Sequence, residues 1–243
     1  MLNPISSRIF KNLVPGALAL CLLGGCARND RILSKDYSGA KFSDRTMTVF
    51  FPDTSVIDLR NPVDVTRDFP REQAPGAKTL LAEEFRAGFF ESLEKQADYI
   101  HLVQAADTVP PAPDSQSLSF TKPKRFDVPT FTYRVPKREY LQDHGINADL
   151  GLFICHLKSV VGEVEVLNPR IGAIRETFLV LEGWYILWDY AKNKPIAYGR
   201  FRPIVNFKRD LETKDWMQAF YKAGRQVVEK SPFKGSKWLK LAE

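Results

Sequence analysis

The stretch ADLGLFICHLKSVV, residues 148–161, reads as a β-strand. Leu150, Leu152 and Ile154 alternate with Gly151, Phe153 and Cys155, so both faces are apolar near its start. A strand buried on both sides belongs in the middle of a sheet. Residues 162–175 continue or connect it. Residues 176–190 (ETFLVLEGWYILWDY) and 195–207 (PIAYGRFRPIVNF) read as the next two strands, joined by a turn of Ala191, Lys192, Asn193 and Lys194.

Working outward, residues 46–52 (TMTVFFP) read as the first strand, rich in β-branched and aromatic residues. Residues 54–76 hold Pro62, Pro70 and Pro75 and should be mostly loop, with a short extended piece at 55–59. In residues 77–96 Leu81, Phe85, Phe89 and Leu93 recur every four positions, the face of a core-packed helix. Residues 98–104 (DYIHLVQ) read as a strand. Residues 105–130 hold five prolines, which rule out regular structure over much of the segment. It reads as a solvated excursion, with partner docking as the sharper alternative. Residues 131–135 can add a strand. Residues 136–144 suit a short helix stopped by Gly145. Trp216, Phe220, Ala223 and Val227 give residues 213–230 one apolar helical face. The expected fold is α+β, with a two-layer mixed sheet of about five strands and two main helices on one face.

The amino-terminal stretch locates the chain. Arg8 and Lys11 precede an apolar run at 13–23, which closes with Leu23-Gly24-Gly25-Cys26. A basic flank, a short apolar core and small residues at the end are the parts of a secretory signal peptide. The run is too short for a spanning helix, which needs roughly 20 apolar residues. The last four residues resemble a bacterial lipobox. The resemblance implies cleavage between Gly25 and Cys26 and lipidation of Cys26, with an ordinary signal peptide as the alternative. The expected domains are 1–25 signal peptide, 26–45 lipidated cysteine and flexible tether, and 46–243 one periplasmic domain. Ala27 after the cysteine, where lipoproteins retained at the inner membrane often carry aspartate, favours the outer membrane.

Removing residues 1–25 from 243 leaves 218, enough for one core of moderate size. The net charge of +6 falls to +4 without Arg8 and Lys11 and is spread along the chain. A nucleic-acid-binding protein more often shows a dense basic stripe, so no nucleic-acid partner is expected. Of three cysteines, Cys21 lies in the signal and Cys26 would carry lipid, leaving Cys155 without a disulfide partner. It reads as a small buried hydrophobe.

Little in the sequence points to catalysis. His101, His144 and His156 lack metal-ligand spacing, and no Cys-x-x-Cys, G-x-S-x-G or phosphate-loop motif occurs. Cys155 and His156 are adjacent. Neighbours in a regular strand point to opposite faces, which counts against a thiol nucleophile and its base. No cofactor, metal or catalytic residue is expected.

The order of elements resembles a group of bacterial envelope domains that includes the amino-terminal domain of TolB, the curli-secretion lipoprotein CsgG and the penicillin-binding-protein activator LpoB. The resemblance rests on Asn147-Ala148-Asp149-Leu150, which opens a strand, and on a hairpin from Leu187-Trp188-Asp189-Tyr190 to Lys194-Pro195-Ile196. The chain departs from the pattern in lacking the turn glycine and in its proline-rich loop. The resemblance implies a non-enzymatic lipoprotein accessory to an envelope machine, anchored by lipid and facing the periplasm. Its contact surfaces would be the 105–130 loop or the sheet edges. The alternatives are a subunit of an oligomeric secretion pore, for which residues 176–207 are the candidate membrane hairpin, and an envelope enzyme or small-ligand binder built around His101, His156 or Glu182.

Overall fold

A computed structural model describes residues 31–38, 42, 45–70, 76–97, 100–105, 115–120, 131–168, 172–207, 210–229 and 231–233. The signal, Gly25 and Cys26 lie outside them. The chain is α+β. Ten strands are described: β1 Arg31–Leu33, β2 Arg45–Phe50, β3 Ile57–Leu59, β4 Ile100–Gln104, β5 Ser115–Phe120, β6 Phe131–Pro136, β7 Leu150–Asn168, β8 Gly172–Asp189, β9 Lys194–Phe201 and β10 Ile204–Phe207. The helices are α1 Pro62–Asp68, α2 Ala77–Gln96, α3 Arg138–Asp143 and α4 Thr213–Glu229.

Eight strands form one mixed sheet in the order β1-β9-β8-β7-β2-β4, with β10 also paired to β8 and β3 to β7. β2 runs parallel to β4 and β7, whereas β7, β8 and β9 are antiparallel. β7 lies inside the sheet, as its two apolar faces require. Leu150, Leu152 and Ile154 enter the core beneath the helices, and Phe153 and Cys155 enter a second cluster on the opposite face.

The sheet exceeds the five strands expected because β1 falls in the expected tether, β3 is expected only as a short extended piece at 55–59, and β10 is expected as the end of one strand at 195–207. β1 and β3 are three residues each, and β10 is cut from β9 by Arg202 and Pro203. The second cluster also departs from a two-layer domain. β6 and α3 bring Val135 and Leu141 over Phe153, Ile186 and Trp188, so both faces of the central strands are covered. Within 105–130, β5 pairs with β6 from Ser115↔Pro136 to Phe120↔Phe131. Residues 106–114 and 121–130, including all five prolines of that segment, lie outside the described residues. α1 interrupts the expected loop at 54–76. Pro62 sits in its first turn, where a missing N–H costs nothing, and Val65 is buried.

Residues 31–38, expected within a flexible tether, belong to the domain. β1 pairs with β9, and Ser34 N–H donates to the Ile196 carbonyl at 2.8 Å. Tyr37 is fully buried and its hydroxyl donates to Asp189 at 2.9 Å. Asp189 is itself fully buried. It accepts from the backbone N–H groups of Ala191 and Lys192 and faces the Arg45 guanidinium at 3.6 Å. One carboxylate therefore closes the β8–β9 turn and secures the amino-terminal segment. Burial, followed by the hydrogen bond to Asp189, holds the Tyr37 phenol well above its usual pKa. Asn193 takes the left-handed backbone conformation (φ 51°) in that turn, so asparagine replaces the glycine the turn would otherwise need. Asp149 does a similar job at the other motif. Thr46 N–H donates to its carboxylate and its own N–H donates to the Thr46 carbonyl, both at 3.2 Å, which sets β2 against β7.

α2 and α4 lie side by side over the sheet, touching where their side chains are small. A Cβ added to Gly224 would sit 2.5 Å from Ser92 Oγ and 3.2 Å from the Phe89 carbonyl oxygen; one added to Gly88 would sit 3.0 Å from the Phe220 ring. Ser92 Oγ donates to the Tyr221 carbonyl at 2.7 Å, satisfying a polar group inside this contact. Phe85, Phe89 and Phe220 fill the space below.

Gly224→Ala should destabilise the domain by about 1–3 kcal/mol, because the crowding atom includes backbone that cannot rotate away. Tyr37→Phe should cost about 1.5–3 kcal/mol by removing a donor from a buried charge. Chemical denaturation of each variant measures both. A Tyr37→Phe midpoint equal to wild type would mean that the amino-terminal segment is not fastened through Asp189.

Candidate interaction surface

β7 and β8 continue past the rest of the sheet. β3 accompanies β7 only at Leu157–Ser159, and β10 accompanies β8 only from Thr177 to Val180. Beyond them the pairs from Val164↔Glu176 to Asn168↔Gly172 form a ribbon of two strands. Among the described residues no strand pairs with the outer edges of residues 163–168 and 172–176. Six residues of strand span about 20 Å.

Its faces differ in chemistry because side chains alternate. Glu163, Glu165, Arg175 and Thr177 share one face. Val164, Ile174 and Phe178 share the other, together with Glu176. This second face continues the side of the sheet opposite α2 and α4, where Val160, Val180 and Ile204 follow along the strands. Val164 is 38% exposed and Ile204 50%. Gly162 lets the Phe178 ring lie across the ribbon, since a Cβ there would stand 2.7 Å from the ring. An apolar stripe thus runs from the sheet onto a projecting arm whose backbone edges are open. Open strand edges and exposed apolar patches are features that partners use. Our sequence reading treats residues 162–175 as a continuation or a connection. The available signal was β-branched residues alternating with Glu163, Glu165 and Arg175 on either side of a turn.

The other candidates are scattered. His101 is exposed on edge strand β4, with β2 between it and β7, which carries His156. His144 follows α3, its Nδ1 2.8 Å from the Tyr140 carbonyl. Among the described residues no three His, Cys, Asp or Glu side chains come together as metal ligands. Glu182 pairs with Arg200 (3.5 Å) and Arg202 (3.3 Å).

The argument from opposite strand faces fails for Cys155 and His156. The β7–β8 register shifts between Ile154 and His156. Ile154 and Leu157 both face the helix-side core, so the two residues between them share the other face. The thiol is nevertheless fully enclosed, donates weakly to the Phe153 carbonyl at 3.6 Å, and is held well above its usual pKa by burial. Burial also lowers the His156 pKa. A buried thiol of raised pKa is inert rather than nucleophilic.

A cleft of about 620 Å³ separates α3 from the β8–β9 turn, lined by Lys137, Arg138, Glu139, Tyr190, Ala191 and Asn193. Arg138 reaches Asp149 at 3.5 Å, and among the described residues the buried Tyr190 hydroxyl has no hydrogen-bond partner. Burial raises the Tyr190 pKa, so the phenol stays neutral. None of His101, His156 and Glu182 lines this cleft.

No family model matches the chain, and no curated protein matches it. Among solved structures it is similar to a putative neuraminyllactose-binding hemagglutinin homolog from Helicobacter pylori, at 11% identity over 83% of this chain and 94% of that one, with a TM-score of 0.40. A PelC dodecamer from Paraburkholderia phytofirmans matches at 10% identity over 84% and 98%, with a TM-score of 0.36. A hypothetical protein from Chlamydia trachomatis matches at 8% over 77% and 95%, with a TM-score of 0.35. Likenesses this loose carry no argument about function.

Cys155 should resist iodoacetamide in the native protein and react fully once the chain is denatured. Peptide mapping by mass spectrometry reads both states, and rapid native alkylation would contradict its enclosure.

Proposed function

We propose that this chain is a non-enzymatic lipoprotein of the cell envelope. Lipid on Cys26 holds it at the outer membrane facing the periplasm, and the domain acts by binding another envelope protein. The lipobox-like Leu23-Gly24-Gly25-Cys26 supports the anchor. The observation that carries the contact role is the projecting β7–β8 ribbon, with its open edges and its apolar stripe of Val164, Ile174 and Phe178. An open edge offers main-chain hydrogen bonds, and the alternating side chains supply the selectivity. The ribbon replaces the 105–130 loop as the preferred contact surface.

Its length weighs against the pore-subunit reading. A spanning hairpin needs roughly 9–11 residues in each strand, whereas β8 outruns β10 only over 172–176. Residues 176–207, the earlier candidate for a membrane hairpin, are mostly built into the sheet as β8, β9 and β10. Among the described residues no helix is long and apolar enough to cross a membrane.

The test is crosslinked capture from cells of wild type, Cys26→Ala and the double variant Val164→Asp/Ile174→Asp. Both substituted side chains are at least partly exposed, so thermal stability should change by no more than about 0.5 kcal/mol. The expected result is a stoichiometric envelope partner that is lost from the double variant and from Cys26→Ala. Undiminished capture by the double variant would remove the ribbon as the contact surface. A Cys26→Ala chain that still fractionates with membranes would remove the lipid anchor.

A further inference from the structure

The anchor and the fold are joined by very little chain. Arg31 opens β1, and only Ala27, Arg28, Asn29 and Asp30 separate it from Cys26. Five residue steps reach at most about 18 Å. If Cys26 carries lipid, the part of the domain around Arg31 cannot leave the vicinity of the headgroups.

The groups at that place suit an anionic surface. Arg31 donates to the Gln226 carbonyl and lies 3.5 Å from Glu229 near the end of α4. Gln226 in turn accepts from the Arg202 backbone N–H at 2.8 Å, which brings the β9–β10 corner to the same edge. Lys222 donates to the Ile204 carbonyl at 3.1 Å, and Arg225 pairs with Glu229 at 3.0 Å. Arg200 and Arg202 share Glu182. Among the described residues Arg31, Arg200, Arg202, Lys222 and Arg225 thus gather near this edge with Glu182 and Glu229. An exposed apolar group lies among them: Ile204 at 50%. Basic residues beside apolar ones are the chemistry of a lipid-headgroup contact.

We propose that the edge formed by β1, β10 and the second half of α4 docks on an anionic phospholipid surface, so the short tether and this edge together fix the orientation of the domain. The proposal rests on the lipoprotein reading above. Docking leaves the α3 end of the domain turned away from the bilayer.

The test uses the full chain processed in cells, purified and reconstituted into vesicles of phosphatidylcholine alone or with one-quarter phosphatidylglycerol. A nitroxide is placed at Ile204→Cys or, as the distant control, at Gln142→Cys on α3; Cys155 is buried and stays unlabelled. Accessibility to a water-soluble nickel chelate is then read by electron paramagnetic resonance. The expected result is a drop of about threefold at position 204 in the anionic vesicles and none at position 142. The drop should vanish in Arg202→Glu/Lys222→Glu and at high salt, which screens surface charge. Vesicle flotation with equal accessibility at both positions would overturn the docking edge while leaving the anchor intact. Failure of the protein to float at all would overturn both.

Discussion

The pairing of β7 with β8 is the constraint on which the rest of the chain depends. These strands stay in register from Leu150↔Asp189 to Asn168↔Gly172, with one shift at Cys155. Every other member of the large sheet is attached to this pair directly or through one neighbour. The single shift matters beyond its place. It keeps Leu157, Leu179 and Leu181 on the helix side after Ile154, while setting Cys155 and His156 together on the other. Gly183 sits beside it, where a Cβ would meet the His156 carbonyl oxygen at 2.7 Å and collide with the Phe201 ring. Glycine at this position lets the backbone close over the irregularity and lets an aromatic ring from β9 fill the space.

Two aspartates at the ends of the central strands convert pairing into a closed domain. Asp149 joins β7 to β2, and Asp189 joins β8 to the β8–β9 turn, Arg45 and Tyr37. Buried carboxylates are tolerated when their lone pairs are satisfied, and Asp189 meets two backbone donors, a phenol and a guanidinium. The consequence reaches the amino-terminal end of the described chain. Because Asp189 fastens Tyr37, residues 31–38 join the domain.

The surfaces left over divide by chemistry. The helix side is filled by α2 and α4, and much of the opposite side by β6 and α3. What stays open is the apolar stripe that runs from Val180 to Val164, and the basic edge around Arg31 and Arg202. Apolar area with free strand edges has the chemistry of a protein contact, and dispersed cations that of an anionic one. The stripe and the basic edge meet at Ile204, which pairs with Val180 and whose carbonyl accepts from Lys222.

The elements that repeat a long pattern were legible from the sequence alone. Leu81, Phe85, Phe89 and Leu93 declare α2, and Trp216, Phe220, Ala223 and Val227 declare α4, because helical period survives without any neighbour. The two-sided apolar run at 150–155 likewise placed β7 inside the sheet. Only the tertiary structure decided the rest. β1 is too short to announce itself, β3 is legible only as an extended piece and β10 only as the tail of a longer strand, and each takes its place because a longer strand offers it hydrogen bonds. The shared face of Cys155 and His156 follows from a slip in pairing that no local preference encodes. The projecting ribbon and the basic edge depend on where neighbouring strands stop and on which distant residues fold against Gln226. Those are properties of long-range contact, so no stretch of the chain carries them by itself.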